Sequence, residues 1–187
     1  SVFIEVADIS KDKIVEAIYK AISESTSGPS EVEGIYLTEN KNIIGLTRFN
    51  ELTNNTFILP IAGDQALVSD NFMLGSVNKE FFILIKTRSM TDIFNSMRQW
   101  ENKMFSDLYG YFGIELSSAT EYLLTKNFKD GIIENKNARI LYEGGNEENE
   151  KISMMYVFAN NTSVVITRSQ ITAREVILRL ASNQIRK

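Results

Sequence analysis

Two stretches of this chain constrain its fold more than anything else: residues 72–87 and 152–167, each read as an apolar β-hairpin that runs straight into an amphipathic helix. In the first, 72–77 and 81–87 flank Asn78-Lys79-Glu80; in the second, 152–158 and 163–167 flank Ala159-Asn160-Asn161-Thr162. Ser89-Met90-Thr91-Asp92 resembles a capping box with Asp in the last position, and Ile93, Met97, Trp100, Met104 and Leu108 then form one helical stripe. Ser169 or Thr172 caps the last helix, whose buried stripe is Ala173, Val176, Ile177, Leu180 and Ala181. A hairpin with an apolar face needs a helix to cover it. The pattern therefore predicts an α+β fold, a mostly antiparallel sheet covered by three or four helices. Ile83-Leu84-Ile85-Lys86-Thr87-Arg88-Ser89 and Val164-Val165-Ile166-Thr167-Arg168-Ser169 share a Thr-Arg-Ser ending. We read them as marking two related β-hairpin–helix units, about 72–108 and 152–182, joined in one sheet with the helices on one side.

The remaining segments fill in one domain spanning residues 1–187. Val2 to Val6 reads as a strand, and Ser10 caps a helix to about Ser23 with Ile14, Ile18 and Ile22 on one face. Gly34–Thr38 and Asn42–Leu46 read as strands, Thr47 caps a short helix, and 54–63 is irregular. Ser118-x-x-Glu121 starts a shorter helix through Leu124, and 128–134 and 138–143 are strands.

Composition excludes much ordinary enzyme chemistry. Among 187 residues there is neither Cys nor His, which removes disulfides, thiolate catalysis, Cys-ligated zinc and the usual general base near neutral pH. Twenty Lys and Arg against 24 Asp and Glu leave a net charge of −4, unsuited to neutralising several phosphates, so no nucleic-acid partner is expected. The basic residues Arg174, Arg179, Arg186 and Lys187 read as cations complementing the end of the last helix. No G-x-G-x-x-G or G-x-x-x-x-G-K-[ST] loop occurs. No apolar run of about 18 residues is present to span a bilayer. The expectation is no cofactor and no metal.

Few constellations remain as sites. Ser10-Lys11-Asp12-Lys13 matches S-x-x-K, Ser69-Asp70-Asn71 matches S-D-N, and Lys86-Thr87 starts a K-T-G whose Gly position holds Arg88. Together they describe a serine acyl-enzyme with Ser10 as nucleophile and Lys13 as base. Capping by Ser10 and solvation of Lys13 explain the same residues more simply. The acidic stretch Glu143–Lys151 lacks calcium-loop ligand spacing and reads as a hairpin tip. N-x-[ST] triplets at Asn54, Asn160 and Asn161 are read as incidental. Tyr109, Tyr111 and Phe112, interleaved with Gly110 and Gly113, form either an exposed binding patch or, as we favour, a helix end at Gly110 with its aromatics folded onto the core.

One series adds a resemblance: Trp100-Glu101, Met104, Asp107-Leu108, Phe128-Lys129-Asp130, Arg139-Ile140-Leu141, Tyr156-Val157-Phe158, Val165-Ile166-Thr167 and Arg179-Leu180. Spread over roughly 72–180, it resembles the extracytoplasmic portion of membrane-anchored hypothetical proteins from uncultured bacteria with reduced genomes. The resemblance implies an outward-facing domain anchored to the bacterial cell membrane and carries over no catalytic residue. Its charged members Glu101, Asp107 and Arg139 are expected to make ion pairs or hydrogen bonds that orient the long helix. The chain opens at Ser1 directly in a strand, and we read it as part of a longer polypeptide whose membrane segment lies outside it. The expected function is a non-catalytic binding or assembly domain with a protein or cell-surface polymer as partner. The alternative is a hydrolase using carboxylates or the Ser/Lys pair.

Overall fold

A computed structural model describes residues 1–57, 72–86, 90–144 and 150–185. In chain order the elements are β1 (Val2–Glu5), α1 (Lys11–Glu24), β2 (Val32–Glu39), β3 (Asn42–Ile43), α2 (Leu46–Thr53), β4 (Phe72–Val77), β5 (Glu80–Lys86) and α3 (Met90–Leu108). Two 3-10 turns follow, Tyr109–Phe112 and Glu121–Leu124, then β6 (Lys129–Ile133), β7 (Lys136–Glu143), β8 (Lys151–Asn160), β9 (Ser163–Thr167) and α4 (Gln170–Ile185). All strands join one sheet in the order β1-β2-β4-β5-β9-β8-β7-β6, with β3 on β2. The ladders are antiparallel except for β1 with β2, which α1 connects as a parallel crossover. This is an α+β fold.

The two hairpins predicted from sequence lie side by side at the centre. β5 pairs β9 with Ile83 opposite Ile166 and Leu84 opposite Val165. Both strands are apolar on both faces: Ile83, Ile85, Val164 and Ile166 point into one core, and Phe82, Leu84 and Val165 into a second. A strand with no polar face needs cover on each side. The helices are accordingly divided. α1 (Ile14, Ile18, Ile22), α2 (Leu46, Phe49) and α3 (Ile93, Met97, Trp100, Met104, Leu108) fill the first core, while α4 (Ala173, Val176, Ile177) fills the second. The expectation of helices on one side is thus corrected. The reason was legible in the run Phe81-Phe82-Ile83-Leu84-Ile85, which does not alternate. Of the shared Thr-Arg-Ser ending, Thr87-Arg88-Ser89 lies outside the described residues, as does Ser89 of the predicted capping box.

Local chemistry shifts several boundaries. Val77 pairs with Glu80 around Asn78 and Lys79, both at positive φ (50° and 64°), so the first hairpin has a two-residue turn and Glu80 belongs to the strand. β8 extends to Asn160, leaving Asn161-Thr162 as the second turn. β3 is only two residues long, because Leu46 is buried as the first residue of α2 and Gly45, not Thr47, is its N-cap. The predicted helix at 118–124 is a single 3-10 turn, held by Thr120 Oγ1 donating to the Glu115 carbonyl at 2.6 Å. Ser10 takes the N-cap position of α1 without a side-chain cap bond, whereas Ser169 Oγ accepts from Thr172 N at 3.2 Å at the start of α4.

Two glycines are required by shape. Gly75 pairs with Phe82, whose ring lies so close that a Cβ would sit 2.5 Å from it and 2.7 Å from the Glu33 carbonyl. Gly113 ends the turn after α3 at φ +66°, a conformation that favours Gly.

Candidate functional site

The polar chemistry of the interior gathers on α3, where an amphipathic stripe carries two acids beside its apolar residues. Glu101 is one turn-face neighbour of Trp100, and its carboxylate is enclosed by the sheet. Arg139 of β7 donates to it through Nε at 2.9 Å and Nη2 at 3.0 Å, a bidentate pair. Tyr156 of β8 donates its hydroxyl to Oε1 at 2.6 Å. Arg139 also donates from Nη1 to Asp130 Oδ1 at 2.8 Å and from Nη2 to the Phe128 carbonyl at 2.9 Å. The Arg139 and Glu101 side chains are 10% and 13% exposed, so this pair is largely desolvated. Glu101 holds the Arg139 guanidinium firmly protonated, with Asp130 adding to it. Burial, then the Glu101 carboxylate, push the Tyr156 hydroxyl well above the usual tyrosine range.

The second acid, Asp107, sits at the C-terminal end of α3 and is 5% exposed. Its Oδ2 accepts from Trp100 Nε1 at 2.7 Å, Thr56 N at 2.9 Å and Thr56 Oγ1 at 2.7 Å. Its main-chain carbonyl accepts from Lys11 Nζ at 2.9 Å, and the same ammonium reaches Asn55 Oδ1 at 3.3 Å. Burial lowers the Lys11 pKa, opposed by the charges of Asp107 and Asp12. Asp107 thereby binds the last turn of α3 to both α1 and the segment after α2. The Trp100 ring packs on Phe57 at 4.4 Å between centroids, closing the cluster with apolar surface.

A shallow groove of about 600 Å³ lies at the β6 edge of the sheet, lined by Tyr122, Lys126, Lys129, Gly144 and Glu150. Lys126 Nζ donates to the Gly144 carbonyl at 2.8 Å and lies 5.7 Å from the Tyr122 ring centroid. Lys129 Nζ pairs with Glu150 at 2.6 Å. The groove has an aromatic wall at Tyr122, charged groups at its rim and is closed in part by its own ion pair.

The other residues singled out from sequence fall elsewhere. Tyr111 and Phe112 are 1% and 3% exposed and pack against Phe81, while Tyr109 is half-buried against Phe105. They form core rather than an exposed binding patch, because the turn runs on past Gly110 and folds the aromatics under the sheet. Burial raises the Tyr111 hydroxyl pKa strongly. Lys13 pairs with Glu16 at 2.8 Å on the exposed side of α1, and Lys86 is exposed at the end of β5 opposite Ser163. The Ser69-Asp70-Asn71 triplet lies outside the described residues, as do residues 145–149 of the acidic loop and Arg186 and Lys187. Glu143, at the edge of that loop, lies 3.6 Å from Lys151 and 3.9 Å from Arg168. Arg174 approaches Glu134 at 4.0 Å, and Arg179 donates to the Ser30 carbonyl at 2.7 Å. Among the described residues no group of three or more Asp or Glu side chains is placed to hold a metal ion, and no helix is long and apolar enough to cross a membrane.

Sequence reasoning identified Glu101, Asp107 and Arg139 but missed Lys11, Asn55 and Thr56. Lys11 looks like any solvated first-turn lysine, and the spacing of 96 residues to Asp107 leaves no local trace. Comparison with known proteins returned no matching family model, no matching curated protein and no matching solved structure.

Proposed function

We propose that this chain is a non-catalytic binding or assembly domain of a membrane-anchored bacterial protein and works outside the cytoplasm. The observation that carries this reading is the closure of the α3 acids on their own chain. Both Glu101 oxygens are engaged by Arg139 and Tyr156, and Asp107 Oδ2 accepts three hydrogen bonds from Trp100 and Thr56. Carboxylates held in this way orient a helix on a sheet; they do not face a substrate. The resemblance noted from sequence supplies the compartment, and the lack of Cys agrees with a domain that folds without redox control.

A partner meets such a domain through its surface. Phe3, Ile132 and Ile171 are more than half exposed (62%, 73% and 62%) and are among the apolar side chains open to such a partner. The partner classes are another envelope protein or a cell-surface polymer. The test is co-sedimentation of the fluorescently labelled domain with purified peptidoglycan sacculi, wall polymers and vesicles bearing surface proteins. Saturable binding to one fraction, competed by unlabelled domain, is expected. Uniformly non-saturable association with all of them contradicts the reading.

A further inference from the structure

We propose that Lys11 and Asn55 join in an intramolecular amide bond that ties the start of α1 to the segment following α2. The two side chains are 44 residues apart in sequence, both half-buried, and Lys11 Nζ lies 3.3 Å from Asn55 Oδ1. One residue positions both reactants. The Asp107 carbonyl holds Lys11 Nζ at 2.9 Å, while its carboxylate grips Thr56, next to Asn55, through two hydrogen bonds. Such preorganisation converts an encounter between two side chains into a fixed contact. Both acceptors of Lys11 Nζ are neutral oxygens, an amide and a carbonyl, so no carboxylate oxygen lies between the amine and Asn55. Burial shifts Lys11 toward its uncharged form, with Asp107 and Asp12 as the opposing charges.

The chemistry balances without an added reactant. The lone pair of the neutral Lys11 amine attacks Asn55 Cγ and forms the Nζ–Cγ bond. A proton passes from Nζ to Nδ2, the Cγ–Nδ2 bond breaks, and ammonia leaves. A primary amine and a primary amide become a secondary amide and ammonia, with no change of oxidation state. In a chain without cysteine this is a covalent closure that needs no oxidising compartment. Asp107 acts as a positioning residue, since its carboxylate bonds go to Thr56 and Trp100.

Intact-mass spectrometry of the folded chain tests the bond. The expected mass is lower than the sequence mass by one ammonia. Tryptic digestion should give peptide 1–13, uncleaved at Lys11, joined to peptide 49–79. Lys11→Arg and Asn55→Ala should each restore the mass expected from their sequences. A wild-type mass equal to the sequence mass overturns the proposal. So does an ammonia loss that persists in Lys11→Arg with no joined peptide, which marks a succinimide at Asn54 or Asn55. Asp107→Asn, compared with wild type at equal folded fraction by circular dichroism, should convert more slowly; conversion at the wild-type rate removes Asp107 from the account.

Discussion

Trp100 Nε1 donates to Asp107 Oδ2 at 2.7 Å across two turns of α3, so the helix carries its own buried hydrogen bond on the face that meets the core. The bond converts what reads in sequence as a plain apolar stripe into a fixed anchor, because the same oxygen also receives Thr56. Asp107→Ala leaves the Trp100 and Thr56 donors unpaired and should cost about 3 kcal/mol or more, whereas Trp100→Phe keeps the apolar volume and should cost about 1–2 kcal/mol. Urea denaturation of the two variants beside wild type measures both, and equal costs would contradict the hub role of Asp107.

The Glu101–Arg139 pair makes a sharper demand. Removing Arg139 leaves Glu101 with the Tyr156 hydroxyl and the more distant Arg98 at 4.0 Å. Arg139→Met should therefore destabilise by about 2–4 kcal/mol, toward the low end for a broken buried pair. Replacing the whole cluster with apolar residues, Glu101→Leu, Arg139→Met and Tyr156→Phe together, should recover most of that loss. A triple variant no more stable than Arg139→Met would show that the cluster contributes net stability beyond its mutual neutralisation.

Tyr111 and Tyr156 set the alkaline limit of the fold. Their folded-state pKa values lie above the unfolded value, chiefly through burial. The neutral hydroxyl is therefore favoured in the fold. Its contribution is complete below the ordinary tyrosine pKa and is lost as pH climbs from there toward the raised folded-state value, where the unfolded chain has shed protons that the folded one retains. Of seven tyrosines, these two should show no tyrosinate absorbance until the circular dichroism signal is lost. Tyr19 is raised by burial as well, and Tyr156→Phe should remove one of the delayed ionisations.

Gly75 tests the packing of the second face. A Cβ there meets the Phe82 ring at 2.5 Å and the Glu33 carbonyl at 2.7 Å, and a main-chain atom has little room to retreat. Gly75→Ala should cost about 1–3 kcal/mol. Gly28→Ala, where the nearest atom is the Glu31 side chain at 3.5 Å, should stay near wild-type stability in the same thermal melts.

Periodicity carried the elements that pack by one face. The stripe from Ile93 to Leu108 and that of Ile14, Ile18 and Ile22 are buried as the spacing requires. The hairpins around Asn78-Lys79 and Asn161-Thr162 are where turn residues interrupt apolar runs. What the sequence reading misplaced was the side on which α4 lies, expected on the face of the other helices and found on the opposite one. Its apolar pattern is shallow, with Ile171 and Leu178 exposed, and the unalternating β5 and β9 permit cover on either face. The polar clusters were half legible. Glu101, Asp107 and Arg139 stand out as charges among apolar neighbours, but their partners Thr56 and Lys11 are brought in by long-range packing with no local pattern. Tyr111 and Phe112 show the converse, since aromatics between glycines suit a surface loop and a core-facing turn equally.

The claim that the side chains of this domain serve its own architecture rather than turnover of a substrate is tested most directly by enzyme assay. Purified wild type should be assayed on ester, amide, phosphate and glycoside substrates beside Ser10→Ala, Lys13→Ala and Glu101→Gln, each confirmed folded by circular dichroism. The account predicts rates equal to buffer for all four proteins, and no labelling of Ser10 by a serine-reactive fluorophosphonate. Reproducible wild-type turnover that disappears in one folded variant would contradict it.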